Sequence, residues 1–139
     1  MDVLVLIGRI LFGALFLASG VAHLTQTKAM AGYAASRGVR APVPATIGSG
    51  LLILVGGLSV LLGIWADLGA LLLVVFLIPT AVLMHAFWTE SDAQARQLEM
   101  ISFQKDLALA GAALMLLALI AHAGADLGLM IAGPLFDID

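Results

Sequence analysis

His23, His85, Trp88, Lys105 and Asp106 are the side chains of this 139-residue chain with the chemistry to bind a small molecule and move protons on it. An imidazole titrates near neutrality and can give or take a proton. A carboxylate can relay that proton, a lysine can stabilise a developing anion, and an indole supplies a flat apolar wall. Together they suit a reducible ring whose oxygens need hydrogen bonds and protons, a quinone-type headgroup. Two histidines on different helices are also a haem-ligand pattern. No metal site is expected, because the sequence contains no HxxxH or HxxE pair. It contains no cysteine either, which removes thiolate nucleophiles, disulfide exchange, Fe–S clusters and thiolate zinc sites. Arg9 joins the candidates as an isolated charge within an apolar stretch. The bland alternative is that all these groups form the aromatic and snorkelling belt found at any helix end.

The elements that must position these residues are four nearly uncharged stretches, residues 3–24, 45–66, 68–88 and 107–125. At 1.5 Å per residue each crosses a hydrocarbon core of roughly 30 Å, and in lipid each must be a helix. With 63% hydrophobic residues, 11% charged residues and a mean hydropathy of +1.15, the chain has too little polar surface to cover a soluble globule. The expected fold is therefore all-α: one transmembrane domain over residues 1–139, an antiparallel four-helix bundle in a bilayer. The first stretch reads as a span rather than a cleaved signal, since it lacks a basic leader and carries Arg9. Six basic residues make no patch, so no nucleic-acid partner is expected.

Charge asymmetry sets the expected orientation. Lys28, Arg37 and Arg40 lie in the first connection and Arg96 and Lys105 in the third, whereas the second has only Asp67 and the tail Asp126, Asp137 and Asp139. The positive-inside rule then puts the first and third connections in the cytoplasm and both termini outside. Within residues 25–44, Met30, Tyr33, Ala34 and Arg37 fall at helical spacing, which predicts a short amphipathic helix in the interface, ended by Gly38. Ser91-Asp92-Ala93-Gln94 forms a capping-box pattern with Asp92 and Arg96 at i,i+4, which predicts a helix there running on toward the fourth span. Trp65 is expected at headgroup level, and the apolar, Gly133-Pro134-broken tail at the outer interface.

Helix contacts should come from small residues: Gly13 and Gly20 in the first span, Gly50, Gly56, Gly57 and Gly63 in the second, Ala108, Gly111, Ala112 and Ala113 in the fourth. Pro79 should kink the third. Arg9, Gly13, Phe16, Gly20 and His23 fall on one stripe of the first span, which should face the bundle, with Asp67 and Asp126 as the partners expected for Arg9. The ends of spans one and three and the start of span four meet at one membrane face. His23, His85, Trp88, Lys105 and Asp106 are therefore expected around one pocket, with His85 and Trp88 sharing a face of span three.

The succession Arg9…Phe12-Gly13-Ala14-Leu15-Phe16…Ser19-Gly20-Val21-Ala22-His23, then Gly56-Gly57-Leu58-Ser59-Val60-Leu61-Leu62-Gly63, His85-Ala86-Phe87-Trp88 and Phe103-Gln104-Lys105-Asp106-Leu107-Ala108-Leu109 resembles the DoxX family of small four-helix bacterial membrane proteins. The resemblance runs from Leu4 to about Ala121. The chain departs from many members in having Leu52-Ile53-Leu54 where they carry a glutamate, and from close relatives in having Asp106 where they have asparagine. The resemblance implies the bacterial inner membrane and, for some members, a small subunit of a quinone-reducing oxidoreductase fed by a redox partner. Two functions stand open: a quinone-linked oxidoreductase subunit with no covalently bound cofactor, or a non-catalytic scaffold or lipid- or solute-binding module.

Overall fold

The computed structural model describes residues 1–127 and 129–136 and contains, among them, helices and no strand. The long helices are α1 (Asp2–Thr25), α3 (Pro42–Leu62), α4 (Ala66–Met84) and α5 (Ala93–Ala123), with a shorter α2 (Thr27–Ser36) between the first two. All four long ones lie in segments apolar and long enough to cross a membrane.

Local chemistry explains their limits. α2 ends where Gly38 takes a φ of +83°, so that the Gly38 and Val39 amides close back on Ala35 and Ala34. Pro42 opens α3, where its missing N–H costs nothing. Gly63, with φ +67°, ends α3, and the Ser59 hydroxyl lies within hydrogen-bond distance of the Ile64 and Trp65 carbonyls in the tight turn into α4. The helix that starts within the third connection is capped by Asp92, whose carboxylate accepts from the Ala95 amide at 2.8 Å. The cap falls one residue later than the Ser91 pattern predicts, and no Asp92–Arg96 ion pair forms among the described residues. At 31 residues α5 is about 46 Å long, half as long again as a bilayer core.

The expected third span, residues 68–88, lies within the candidate membrane segment Ala66–Thr89, but the α-helix does not fill it. α4 stops at Met84, the chain turns at His85, and Phe87–Thr89 form one 3-10 turn. Apolarity continues through Ala86-Phe87-Trp88, but Phe87 and Trp88 turn aside to pack edge-on against Phe103 of α5.

α1 packs on α3, α3 on α4 and α4 on α5. Phe16, Ile53, Val60, Leu73, Leu77 and Ala113 form the shared core. Glycines set the spacing between helices: a Cβ on Gly13 would lie 3.1 Å from the Gly57 carbonyl, one on Gly56 3.1 Å from that of Gly69, and one on Gly50 2.7 Å from the His23 Cβ. Gly111 is the exception to the expected set, with nothing within 4 Å of such an atom, and Ala108 is exposed.

The buried residues of α1 are Arg9, Gly13, Phe16 and Gly20, four members of the predicted stripe. The partners expected for Arg9 are corrected. Among the described residues its guanidinium donates to no carboxylate but to the carbonyls of Val60 (2.8 Å), Leu61 (2.8 Å) and Leu129 (3.3 Å). Val60 and Leu61 lie in the last turn of α3, whose carbonyls have no partner within the helix and carry the negative end of its dipole, so they suit the guanidinium charge. Asp67 is fully buried and accepts instead from the Leu135 and Phe136 amides at 2.6–3.0 Å. The tail thus folds over the α3–α4 turn, with Ala132 N–H also donating to the Gly63 carbonyl at 2.9 Å. Asp126 is exposed, and Asp137 and Asp139 lie outside the described residues.

Candidate functional site

At the opposite end from that turn, α3 and α4 flank a cavity of about 750 Å³. Leu52, Val75, Phe76 and Leu83 give it an apolar body, α1 contributes Ser19 and His23, and α2 lies across it through Met30 and Tyr33. His85, Lys105 and Asp106 form its polar end. Pro79 is part of the wall and lacks an N–H, which leaves the Val75 carbonyl without its usual helical donor beside the cavity.

His85 is the centre of the polar end. Its Nδ1 lies 2.8 Å from Glu99 Oε2, a hydrogen bond that fixes the ring. Its Nε2 stands 3.6 Å from Asp106 Oδ2, too far for a hydrogen bond but close enough for strong electrostatic coupling. The imidazole therefore has a carboxylate at each nitrogen, one oriented and one facing the cavity. Glu99 and Asp106 are seven residues apart, two turns of one helix, and so share a face of α5.

Glu99 is itself held from the other side. Its Oε1 lies 2.8 Å from the Tyr33 hydroxyl and 2.8 Å from an Arg37 nitrogen. Arg37 also pairs with Glu90 at 2.8 Å and donates to the Tyr33 oxygen. Tyr33 has one proton and two acceptors in reach, Glu99 and the Met84 carbonyl at 3.1 Å. Burial, then the hydrogen bond to the Glu99 carboxylate, push the Tyr33 phenol above its usual pKa, against the pull of Arg37.

The structure brings together four of the residues expected to share a pocket, His23, His85, Lys105 and Asp106, and leaves one out. His23 lines the same cavity, with Nδ1 2.8 Å from the Ser19 carbonyl and its ring edge-on to Phe76 at 6.0 Å. Trp88 is not among the lining residues; it is half exposed and set against Phe87 and Phe103, because the helical face it was to share with His85 ends at Met84. Arg9 belongs to the far end of the molecule. Sequence reasoning missed Glu99 altogether and gave Tyr33 and Arg37 only an interfacial role. The available signal was the two-turn spacing of Glu99 and Asp106.

The sequence model of the DoxX family matches residues 4–86, more than half of the chain. The chain belongs to the DoxX family. With its four apolar helices, this DoxX protein is a multi-pass membrane protein. The match includes His23, Tyr33, Arg37 and His85 and ends before Glu99, Lys105 and Asp106, short of the Phe103–Leu109 segment counted in the resemblance. No curated protein matches the chain, and no solved structure does.

Proposed function

We propose that this DoxX protein is the quinone-binding subunit of a bacterial inner-membrane oxidoreductase. The observation that supports the reading best is His85, held by Glu99 at one nitrogen and turned toward Asp106 and an apolar cavity with the other. Reducing a quinone consumes protons as well as electrons. His85 Nε2 would deliver the protons at the ring oxygens, Asp106 would resupply them, and Lys105 would offset the negative charge of reduced forms. With no cysteine to hold a thiolate or Fe–S centre, the subunit would take its electrons from a partner protein.

The membrane arrangement is part of the proposal. The spans run antiparallel, with the first and third connections cytoplasmic and both termini outside, because five of the six basic residues lie in those connections. The cavity then opens near the cytoplasmic leaflet, with α2 lying in the interface above it.

Mass spectrometry of small molecules extracted from gently purified protein tests this. The parent should carry a quinone, His85→Ala should carry about tenfold less or none, and Trp88→Ala should match the parent, since Trp88 lies off the cavity. A parent that retains neither quinone nor visible chromophore, and binds no quinone analogue, would leave the non-catalytic scaffold or lipid-binding module as the function.

A further inference from the structure

The cavity is bridged by side-chain contacts at its polar end and bordered by exposed apolar side chains along its flank. On α3, Ala45, Ser49 and Leu52 fall at i, i+4 and i+7, and on α4, Val75, Pro79 and Leu83 at i, i+4 and i+8, so each set is one stripe bordering the cavity. Val75 and Leu83 are 53% and 54% exposed although they line it, and Ile78 and Val82 on the adjoining outer face of α4 are exposed as well. The cavity wall therefore passes into the exposed apolar surface of α4. The tight glycine contacts between α3 and α4, Gly56 against Gly69 and Gly69 against Ser59, all sit near the far turn. Across the polar end, by contrast, α2 is fastened to α5 by Tyr33 and Arg37 through Glu99.

We infer that the ligand enters sideways from the bilayer, between α3 and α4, and is an amphiphile whose apolar tail stays in that gap while its headgroup meets His85. The stripe from Ala45 to Leu52 is about 10 Å long at the helical rise, enough to hold a stretch of acyl or isoprenoid chain. The borders are hydrocarbon, so they match a tail leaving into lipid and repel a hydrated solute. This rests on the cavity being the binding site and narrows the substrate class to long-tailed, membrane-dissolved molecules.

The test uses the absence of native cysteine. Thr80→Cys places one thiol in the cavity wall, and the protein in lipid nanodiscs is treated with two maleimides, one apolar and bilayer-partitioning, the other charged and confined to water. The apolar reagent should label that thiol at least tenfold faster, and adding Ala45→Phe with Val75→Phe to fill the gap should slow it about tenfold. Met115→Phe, at an exposed site of α5 away from the cavity, should leave the rate unchanged and controls for folding. Equal labelling by the charged reagent, or no effect of filling the gap, would overturn the inference. Binding of quinone analogues with and without a tail then separates the two readings. A gap that passes the labelling test in a protein that binds neither analogue keeps the lateral route and removes the quinone. Tailed and tailless analogues that are affected alike by filling the gap would remove the tail's place in it.

Discussion

Tyr33 on α2 and Glu99 on α5 are 66 residues apart in the chain and 2.8 Å apart in space. That contact joins the element lying across the cavity to the residue that orients His85, so the cover and the acid–base group share one carboxylate.

The chain has a single tyrosine, which makes its titration directly readable. Its folded pKa is raised above the unfolded value of about 10, first by burial and then by the Glu99 bond. The stabilisation it gives is therefore fully present below about pH 10 and is lost as pH rises through the higher folded value. Phenolate absorbance should show a midpoint above that of the denatured chain, and Glu99→Gln should bring it down. A folded midpoint at or below the denatured one contradicts the contact.

Arg9 binds carbonyls of α3 and of the tail, so its loss strands acceptors rather than an acid. Arg9→Leu should lower the unfolding free energy by about 3 kcal/mol, as expected for charge-assisted bonds with buried partners. Arg9→Lys, with fewer donors in a single ammonium, should restore only part of this. Unchanged thermal melting of the leucine variant in detergent would disprove the arrangement.

Two glycines give opposite expectations. A methyl at Gly50 meets the His23 Cβ at 2.7 Å, close to the backbone where nothing flexible can yield, so Gly50→Ala should cost about 1–3 kcal/mol and disturb the cavity. Gly111→Ala meets nothing and should stabilise by up to about 1 kcal/mol through helix propensity. Melting curves of the pair decide it, and a Gly50→Ala protein as stable as the parent would refute the α1–α3 contact.

Single cysteines at Ser36 and Ser91 should be labelled by an impermeant thiol reagent only from the cytoplasmic side, and one at Asp2 only from outside, in oriented vesicles. The reverse pattern would invert the proposed topology.

Hydropathy reveals the four long helices because a bilayer demands about twenty apolar residues in a row. It says nothing of where α4 unwinds, since Ala86, Phe87 and Trp88 are as apolar as the helix before them; the pull of Phe103 is tertiary. Helical period exposes the Arg9 stripe, but not its partners, because unpaired carbonyls at a helix end have no letter in a sequence. His23, His85, Lys105 and Asp106 are legible as a set from the depth their helices impose. Glu99 is not, because its meaning depends on Tyr33, Arg37 and His85 arriving from other elements, and acids on the polar start of a helix are commonplace.

The bonds from Leu135 and Phe136 to Asp67 have a practical side. An affinity handle or reporter placed beside Phe136 would crowd the segment whose amides meet Asp67 at the α3–α4 turn. Purification and labelling should instead work from Met1, which is 95% exposed and joined to no such clasp among the described residues.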